Sequence, residues 1–207
     1  MPVLQKYASP LWGVWKIEES WERLLHLSEW PEKYLPFLNN CKSDSRKAEW
    51  LAVRILLKEL TGAETTVAYH ADGFPYLPDA PYHISISHTK GYAAVLLNPD
   101  KPVGIDIEYR SERIQKIKSR FLNETEWMLL GENPGTTDLL ICWSAKETAF
   151  KMTERKVADW QKDIHIMAFD FSRETGFLTV KETLTPQSAT YQIQYGITPD
   201  FVITRSE

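Results

Sequence analysis

Val103-Gly104-Ile105-Asp106-Ile107-Glu108 is the stretch whose reading decides the rest of the chain. Side chains of a strand alternate between its faces, so Asp106 and Glu108 leave one face together while Ile105 and Ile107 enter a core on the other. Two carboxylates then converge beside the small Gly104. Downstream, Trp143-Ser144-Ala145-Lys146-Glu147-Thr148-Ala149-Phe150-Lys151 has helical spacing, because Trp143, Lys146, Glu147, Phe150 and Lys151 fall at i, i+3, i+4, i+7 and i+8 on one side. A third carboxylate therefore stands between two ammonium groups.

Three oxygen-donor side chains suit a hard divalent cation such as Mg²⁺, which keeps waters and takes its remaining ligands from substrate phosphates, and lysines beside them suit phosphate charge. Taken singly, the same residues also suit a plainer arrangement. Asp106 and Glu108 would then be solvated charges on an edge strand, and Glu147 with Lys151 a surface i,i+4 ion pair worth roughly 0.2–0.5 kcal/mol. It is the two segments together, in this order, that favour the cation.

The pair Gly-x-Asp-x-Glu and Trp-x-x-Lys-Glu-x-x-x-Lys resembles the 4′-phosphopantetheinyl transferases, which move the phosphopantetheine arm of coenzyme A onto a serine of a carrier protein. The resemblance is nearest to the longer, single-chain branch that serves peptide and polyketide synthases, and it runs from about Arg46 to Lys151 and more loosely beyond. It implies an α+β fold of two similar halves related by pseudo-twofold symmetry, each with helices packed on a small antiparallel sheet, here residues 1–103 and 104–207. Coenzyme A would lie in the cleft between them.

The resemblance also distributes roles. Asp106, Glu108 and Glu147 would bind Mg²⁺, and Lys146 and Lys151 would stabilise phosphate charge. Glu147, directly or through a metal-bound water, would take the serine proton, with Glu126 as the alternative base. Glu126 enters because Phe121-Leu122-Asn123-Glu124-Thr125-Glu126-Trp127 is similar to a segment in which the family places a glutamate near the metal; read alone, it equally complements a helix dipole from the first turn. An arginine matching Arg54 helps hold coenzyme A in the family, with Arg46 or Lys42 assisting here, and Ser87-His88 matches a Ser-His that contacts a coenzyme A phosphate. Where the family has Gly-Lys-Pro near the adenine, this chain has Gly73-Phe74-Pro75. The lysine's charge is gone, and the Phe74 ring either stacks on adenine or packs in the turn.

The bulk properties agree with an enzyme of this kind. At 207 residues and 43% hydrophobic, the chain can bury a sizeable core in one large or two small domains, and its formal charge of −4 argues against general nucleic-acid binding. Cys41 and Cys142 are far apart, without metal-ligand spacing, and nothing in the sequence reads as a membrane span or a secretory leader. A cytoplasmic monomer is the expectation. Two rivals remain open: a non-catalytic module that binds coenzyme A or a carrier protein, and a generic Mg²⁺-dependent phosphohydrolase, which leaves Arg54 and Ser87-His88 unexplained.

Local patterning fills in the elements. Leu11 to Ile17 reads as a strand, Ser20 as the cap of a short helix, Pro31 as the first turn of another, and Ser43-Asp44-Ser45 as caps of a long helix running to Leu60 and stopped by Gly62. Trp12, Trp15, Trp21 and Trp30 read as packing residues, and His26, His70, His83 and His165 as bystanders. Ile84 to His88, Tyr92 to Leu97 and the Asp106 strand are expected to form a three-stranded antiparallel meander. In the second half, Ser111 to Arg120 is helical in pattern, Asn123 or Thr125 caps a further turn, Thr136 or Thr137 starts the Lys146–Glu147 helix, and four strands follow between Ile164 and Arg205.

Overall fold

Where Lys101 meets Pro102, the chain passes from one compact unit to another in the computed structural model, which describes residues 3–8, 10–153, 157–169 and 173–207. The first unit comprises Met1–His70 and Pro75–Lys101; the second comprises Ala71–Phe74 and Pro102–Glu207. The division falls two residues before the expected one at 103/104, and residues 71–74 go with the second unit.

In the first unit β1 (Val3–Ala8) and β2 (Leu11–Lys16) precede α1 (Trp21–Leu25), α2 (Pro31–Asn40) and α3 (Asp44–Thr61), and a two-stranded ribbon of β3 (Ala68–Tyr69) and β4 (Pro75–Tyr76) leads to β5 (His83–Thr89) and β6 (Tyr92–Asn98). β1, β2, β6 and β5 pair in that order, antiparallel throughout. Ser43 starts α3 by accepting the Arg46 N–H, and Gly62, at φ 81°, ends it in the left-handed conformation that only glycine adopts without strain. Between these caps Leu51, Ala52, Ile55 and Leu56 pack with Trp15, Val95 and Leu97 of the sheet.

The second unit begins with β7 (Ile105–Tyr109) and continues through α4 (Arg113–Ile117), a 3-10 turn (Lys118–Arg120), α5 (Glu124–Leu130) and α6 (Thr136–Thr153) to β8 (Ile164–Phe169), β9 (Thr175–Glu182), β10 (Thr190–Ile197) and β11 (Phe201–Ser206). Its sheet order is β7-β11-β10-β9-β8. The expected three-stranded meander is therefore corrected: β5 pairs with β6, but β7 pairs with β11, with Asp106 opposite Thr204 and Glu108 opposite Val202. The local cause lies in the connection, where the Asn98 side chain accepts the Asp100 and Lys101 N–H groups and Pro102 has no N–H to extend a ladder.

Mixed helices and small antiparallel sheets are thus the architecture, with an 18-residue helix packed on a sheet in each unit. The second core gathers Leu139, Ile141, Cys142, Ala145 and Ala149 of α6 with Ile166, Leu178, Val180, Ile193 and Val202 of the sheet. Among the described residues no helix is long and apolar enough to cross a membrane.

Candidate functional site

Gly104 sets the approach of β7 to α6. A Cβ there would stand 2.2 Å from the Thr148 carbonyl oxygen, so no other residue lets the strand lie this close to the helix backbone. The contact is secured from both sides: Ser206 Oγ accepts the Gly104 N–H and the Ser206 N–H returns to Gly104 O. Thr204, opposite Asp106, shares hydroxyl hydrogen bonds with Ser144 and Thr148 at 2.8 and 2.7 Å. The glycine of the first motif is a packing residue that brings the two motifs together.

Asp106 and Glu108 consequently face α6. Lys151 Nζ donates to Asp106 Oδ1 and to Ile105 O, each at 2.8 Å, and Trp143 Nε1 donates to Glu108 Oε1 at 2.9 Å. Asp106 is buried; Glu108 and Glu147 are half-buried. Burial, then the Asp106 charge, pushes the Glu108 carboxyl up to about 7, with a further push from Glu147, against the pull of the Trp143 hydrogen bond and Lys151. Glu147 is likewise pushed up to about 7 by burial and by Asp106, with Lys151 opposing. Three carboxylates therefore feel one another around a single ammonium group.

That donor set fits a hard divalent cation. It offers carboxylate oxygens from β7 and α6 and an excess of negative charge that one lysine only partly offsets. Among the described residues, no three acidic, histidine or cysteine side chains are already closed to metal-holding geometry, so the fit rests on the chemistry of the donors.

Lys146 and Glu126 form an ion pair in the interior of the second unit. Lys146 is fully buried, and its Nζ donates to Phe121 O at 2.7 Å, Glu126 Oε2 at 2.8 Å and Trp160 O at 2.6 Å. An ammonium has three protons, and all three are used inside the protein. Glu126, 1% exposed, accepts from Lys146, from the Asn123 N–H and from the Ile166 N–H, and completes a capping box with Asn123 at the start of α5. Lys146 and Glu126 are thus each committed to interior partners.

The remaining residues expected to bind coenzyme A fall outside the two motifs in sequence. Gly73 takes φ 93° and turns the chain so that Phe74, half-buried, has its ring 6.2 Å from that of Phe150 on α6. In the first unit Arg54 is buried; its guanidinium lies over the Trp50 ring, and Nη1 donates to Trp50 O at 2.9 Å. Burial lowers its pKa to about 10, which leaves it cationic at neutral pH. Arg46 and Lys42 are exposed at the start of the same helix. Ser87 is buried on β5, and next to it His88, half-exposed, brings Nδ1 to 3.4 Å from Glu49 Oε2.

One aromatic residue escaped the sequence reading. Trp160 lies in the turn before β8, and its ring meets those of Trp143 and Phe150 at 4.9 and 5.2 Å. No motif includes it, and the only sequence signal was an aromatic residue in an otherwise polar turn.

Comparison with known proteins bears on the second unit. Residues 102–204 match the family model ACPS, the 4′-phosphopantetheinyl transferase superfamily. The matched segment contains Asp106, Glu108, Glu147 and Lys151. None of the curated proteins compared matches the chain.

Proposed function

We propose that this protein is a 4′-phosphopantetheinyl transferase of the longer single-chain branch, moving the phosphopantetheine arm of coenzyme A onto a serine of an apo acyl or peptidyl carrier protein. The observation that carries the reading is the meeting of Asp106, Glu108, Glu147 and Lys151 on β7 and α6, inside the segment that matches the superfamily. A cytoplasmic monomer is part of the same reading, as are the two pseudo-symmetric halves.

In the reaction the serine oxygen forms a bond to the phosphorus that carries the pantetheine arm, and the bond from that phosphorus to the departing adenosine 3′,5′-bisphosphate breaks. Asp106, Glu108 and Glu147 would hold Mg²⁺, which supplies charge stabilisation to the pyrophosphate when bound. Lys151 adds a cation beside Asp106, at the place where phosphate charge must be offset. Glu147 accepts the serine proton in preference to Glu126, whose oxygens are committed to Lys146 and to backbone N–H groups. Arg54 and His88, with Arg46 assisting, hold phosphates of the donor, while Lys146 holds the protein.

The test is direct. The protein is incubated with Mg²⁺, coenzyme A and an apo carrier protein, and the carrier is weighed. The expected result is a gain of one phosphopantetheine per carrier, lost with a chelator and restored by Mg²⁺. Coenzyme A binding without any mass gain would replace this reading with a non-catalytic module, and coenzyme A hydrolysis without transfer would replace it with a phosphohydrolase.

A further inference from the structure

α6 is fastened to its sheet by hydroxyl groups at two points one helical turn apart. Thr204 of β11 lies directly opposite Asp106 of β7, and opposed side chains leave a sheet on the same face, so the Thr204 hydroxyl and the Asp106 carboxylate both meet α6. Thr204 Oγ1 stands 2.8 Å from Ser144 Oγ and 2.7 Å from Thr148 Oγ1, and all three residues are fully buried. Thr148 is gripped twice, because its carbonyl rests against Gly104 of β7 while its hydroxyl engages Thr204. Glu147 directly precedes Thr148, and Lys151, one turn on, reaches Asp106.

We propose that Thr204 is a positioning residue: its hydroxyl hub with Ser144 and Thr148 holds Asp106, Glu108 and Glu147 at the spacing of a small cation, and so sets the preference of the site for Mg²⁺ relative to Ca²⁺. This rests on the transferase reading above, which gives those carboxylates to a cation. The carboxylates come from two elements, so their separation is only as definite as the seating of α6 against β7. A slip of one residue would carry Glu147 about 1.5 Å along the helix axis and about 100° around it. Apolar packing is non-directional and lets a helix slide by small amounts, whereas hydroxyl bonds at two positions one turn apart fix rotation and translation together. Mg²⁺ demands near-octahedral oxygens at about 2.0–2.1 Å, while Ca²⁺ accepts irregular sets at about 2.3–2.6 Å. A loosened helix therefore penalises Mg²⁺ first.

Mg²⁺ and Ca²⁺ are each titrated calorimetrically into the full-length protein mixed with coenzyme A and no carrier protein, so that binding rather than turnover is read. Thr204→Val keeps the shape and removes the hydroxyl; it should weaken Mg²⁺ roughly tenfold and Ca²⁺ by less than about twofold. Thr204→Ser, which keeps the hydroxyl, should restore the parent ratio. Because Thr204→Val strands buried hydroxyls, a second variant combines it with Ser144→Ala and Thr148→Val, which makes the whole hub apolar and removes the directional bonds without leaving polar groups unpaired. Melting curves identify the folded variants, and this one should lose Mg²⁺ preference in the same way. A folded hydroxyl-free variant that binds both cations as the parent does, or weakens both equally, overturns the hub while the transferase reading stands, as does a Thr204→Ser as impaired as Thr204→Val. A parent that binds neither cation and transfers nothing to an apo carrier overturns that reading, and the hub with it.

Discussion

α3 and α6 are both 18 residues long and each packs on an antiparallel sheet of its own unit, yet they hold their places by different physics. α3 buries Leu51, Ile55, Leu56 and Leu60 with a single charged side chain, Arg54, which is held on Trp50, keeps its lysines and acids at least partly exposed, and is closed by Ser43 and Gly62. α6 buries Ser144, Lys146 and Thr148 along with its aliphatic residues. Its polar groups are inside because each has a partner there: Thr204 for the two hydroxyls, and Glu126 with two carbonyls for the ammonium. A helix of the first kind is stabilised by partition between water and core, and tolerates surface change. The second kind depends on specific partners, and leaves Glu147 and Lys151 in fixed positions toward Asp106.

The largest effect separating the two helices should be on transfer. Asp106→Ala, Glu108→Ala and Glu147→Ala are each expected to lower transfer by at least roughly a hundredfold, since each removes charge from the site where Mg²⁺ and the pyrophosphate would meet. Circular dichroism should show all three folded. By contrast Arg54→Ala on α3 should raise the KM for coenzyme A and leave the carrier KM unchanged, because a phosphate contact remote from the reacting bond acts on donor binding. Full transfer by all three alanine variants would remove the acidic cluster from the chemistry.

Next in size is the buried pair. Lys146→Met strands the Glu126 carboxylate in the interior, and breaking such a pair costs about 3–5 kcal/mol. Replacing both partners, Lys146→Met with Glu126→Leu, removes the stranded charge and should return most of that stability in urea melts. Transfer is the sharper readout. If the double variant regains transfer to within about tenfold of the parent, Lys146 positions the protein; if it folds but transfers nothing, the ammonium acts on phosphate after all.

A smaller effect follows from Glu108 and Glu147, whose carboxyls stand near 7 in the metal-free fold against an ordinary value of 4.5. The folded state holds these protons more tightly than the unfolded chain. Their contribution therefore makes the metal-free protein less stable as pH rises from about 4.5 to about 7, with no further change above. Cation binding needs the deprotonated forms, so Mg²⁺ should raise Tm more at pH 8 than at pH 5.5. Glu147→Gln should flatten the difference. A Tm increment independent of pH would separate the carboxylates from the cation.

The same contrast explains what could be read from the sequence. α3 was legible to within one residue, because caps and an apolar stripe are local signals. α6 was legible as a helix, with Glu147 and Lys151 on a shared face by spacing alone, whereas Asp106 joined them only through the pairing of the two motifs and the resemblance it carries. The partner of β7 was not, since pairing with β11 joins segments about a hundred residues apart and no local pattern records it. The interior partners of Lys146 were hidden for a related reason. Its spacing places it beside Glu147, and only the distant Phe121 and Trp160 carbonyls and Glu126 show that it turns inward. Gly104 was noticed as small, but the closeness of Thr148 that requires it is a tertiary fact.

The smallest effect belongs to α3, and it tests whether that helix is the self-sufficient one. Ser43 has extended backbone at φ −96° and ψ 119°, and its hydroxyl accepts the Arg46 N–H at 3.3 Å, so it occupies the position where a side chain replaces a missing helical partner. Ser43→Ala should cost about 1 kcal/mol, whereas Ser43→Asp should be neutral or slightly stabilising, because a carboxylate caps as well and favours the positive end of the helix dipole. Neither change touches Arg54, which sits on the third turn with its own contacts to Trp50, and the bond to Ser43 involves only the backbone N–H of Arg46 and not its guanidinium, so coenzyme A affinity in both variants should match the parent. Urea melts measure the first expectation and calorimetry the second. If Ser43→Ala leaves stability intact but weakens coenzyme A severalfold, the Ser43 hydroxyl itself takes part in the ligand site, and the division between a helix that holds itself and a helix held by its partners fails at that point.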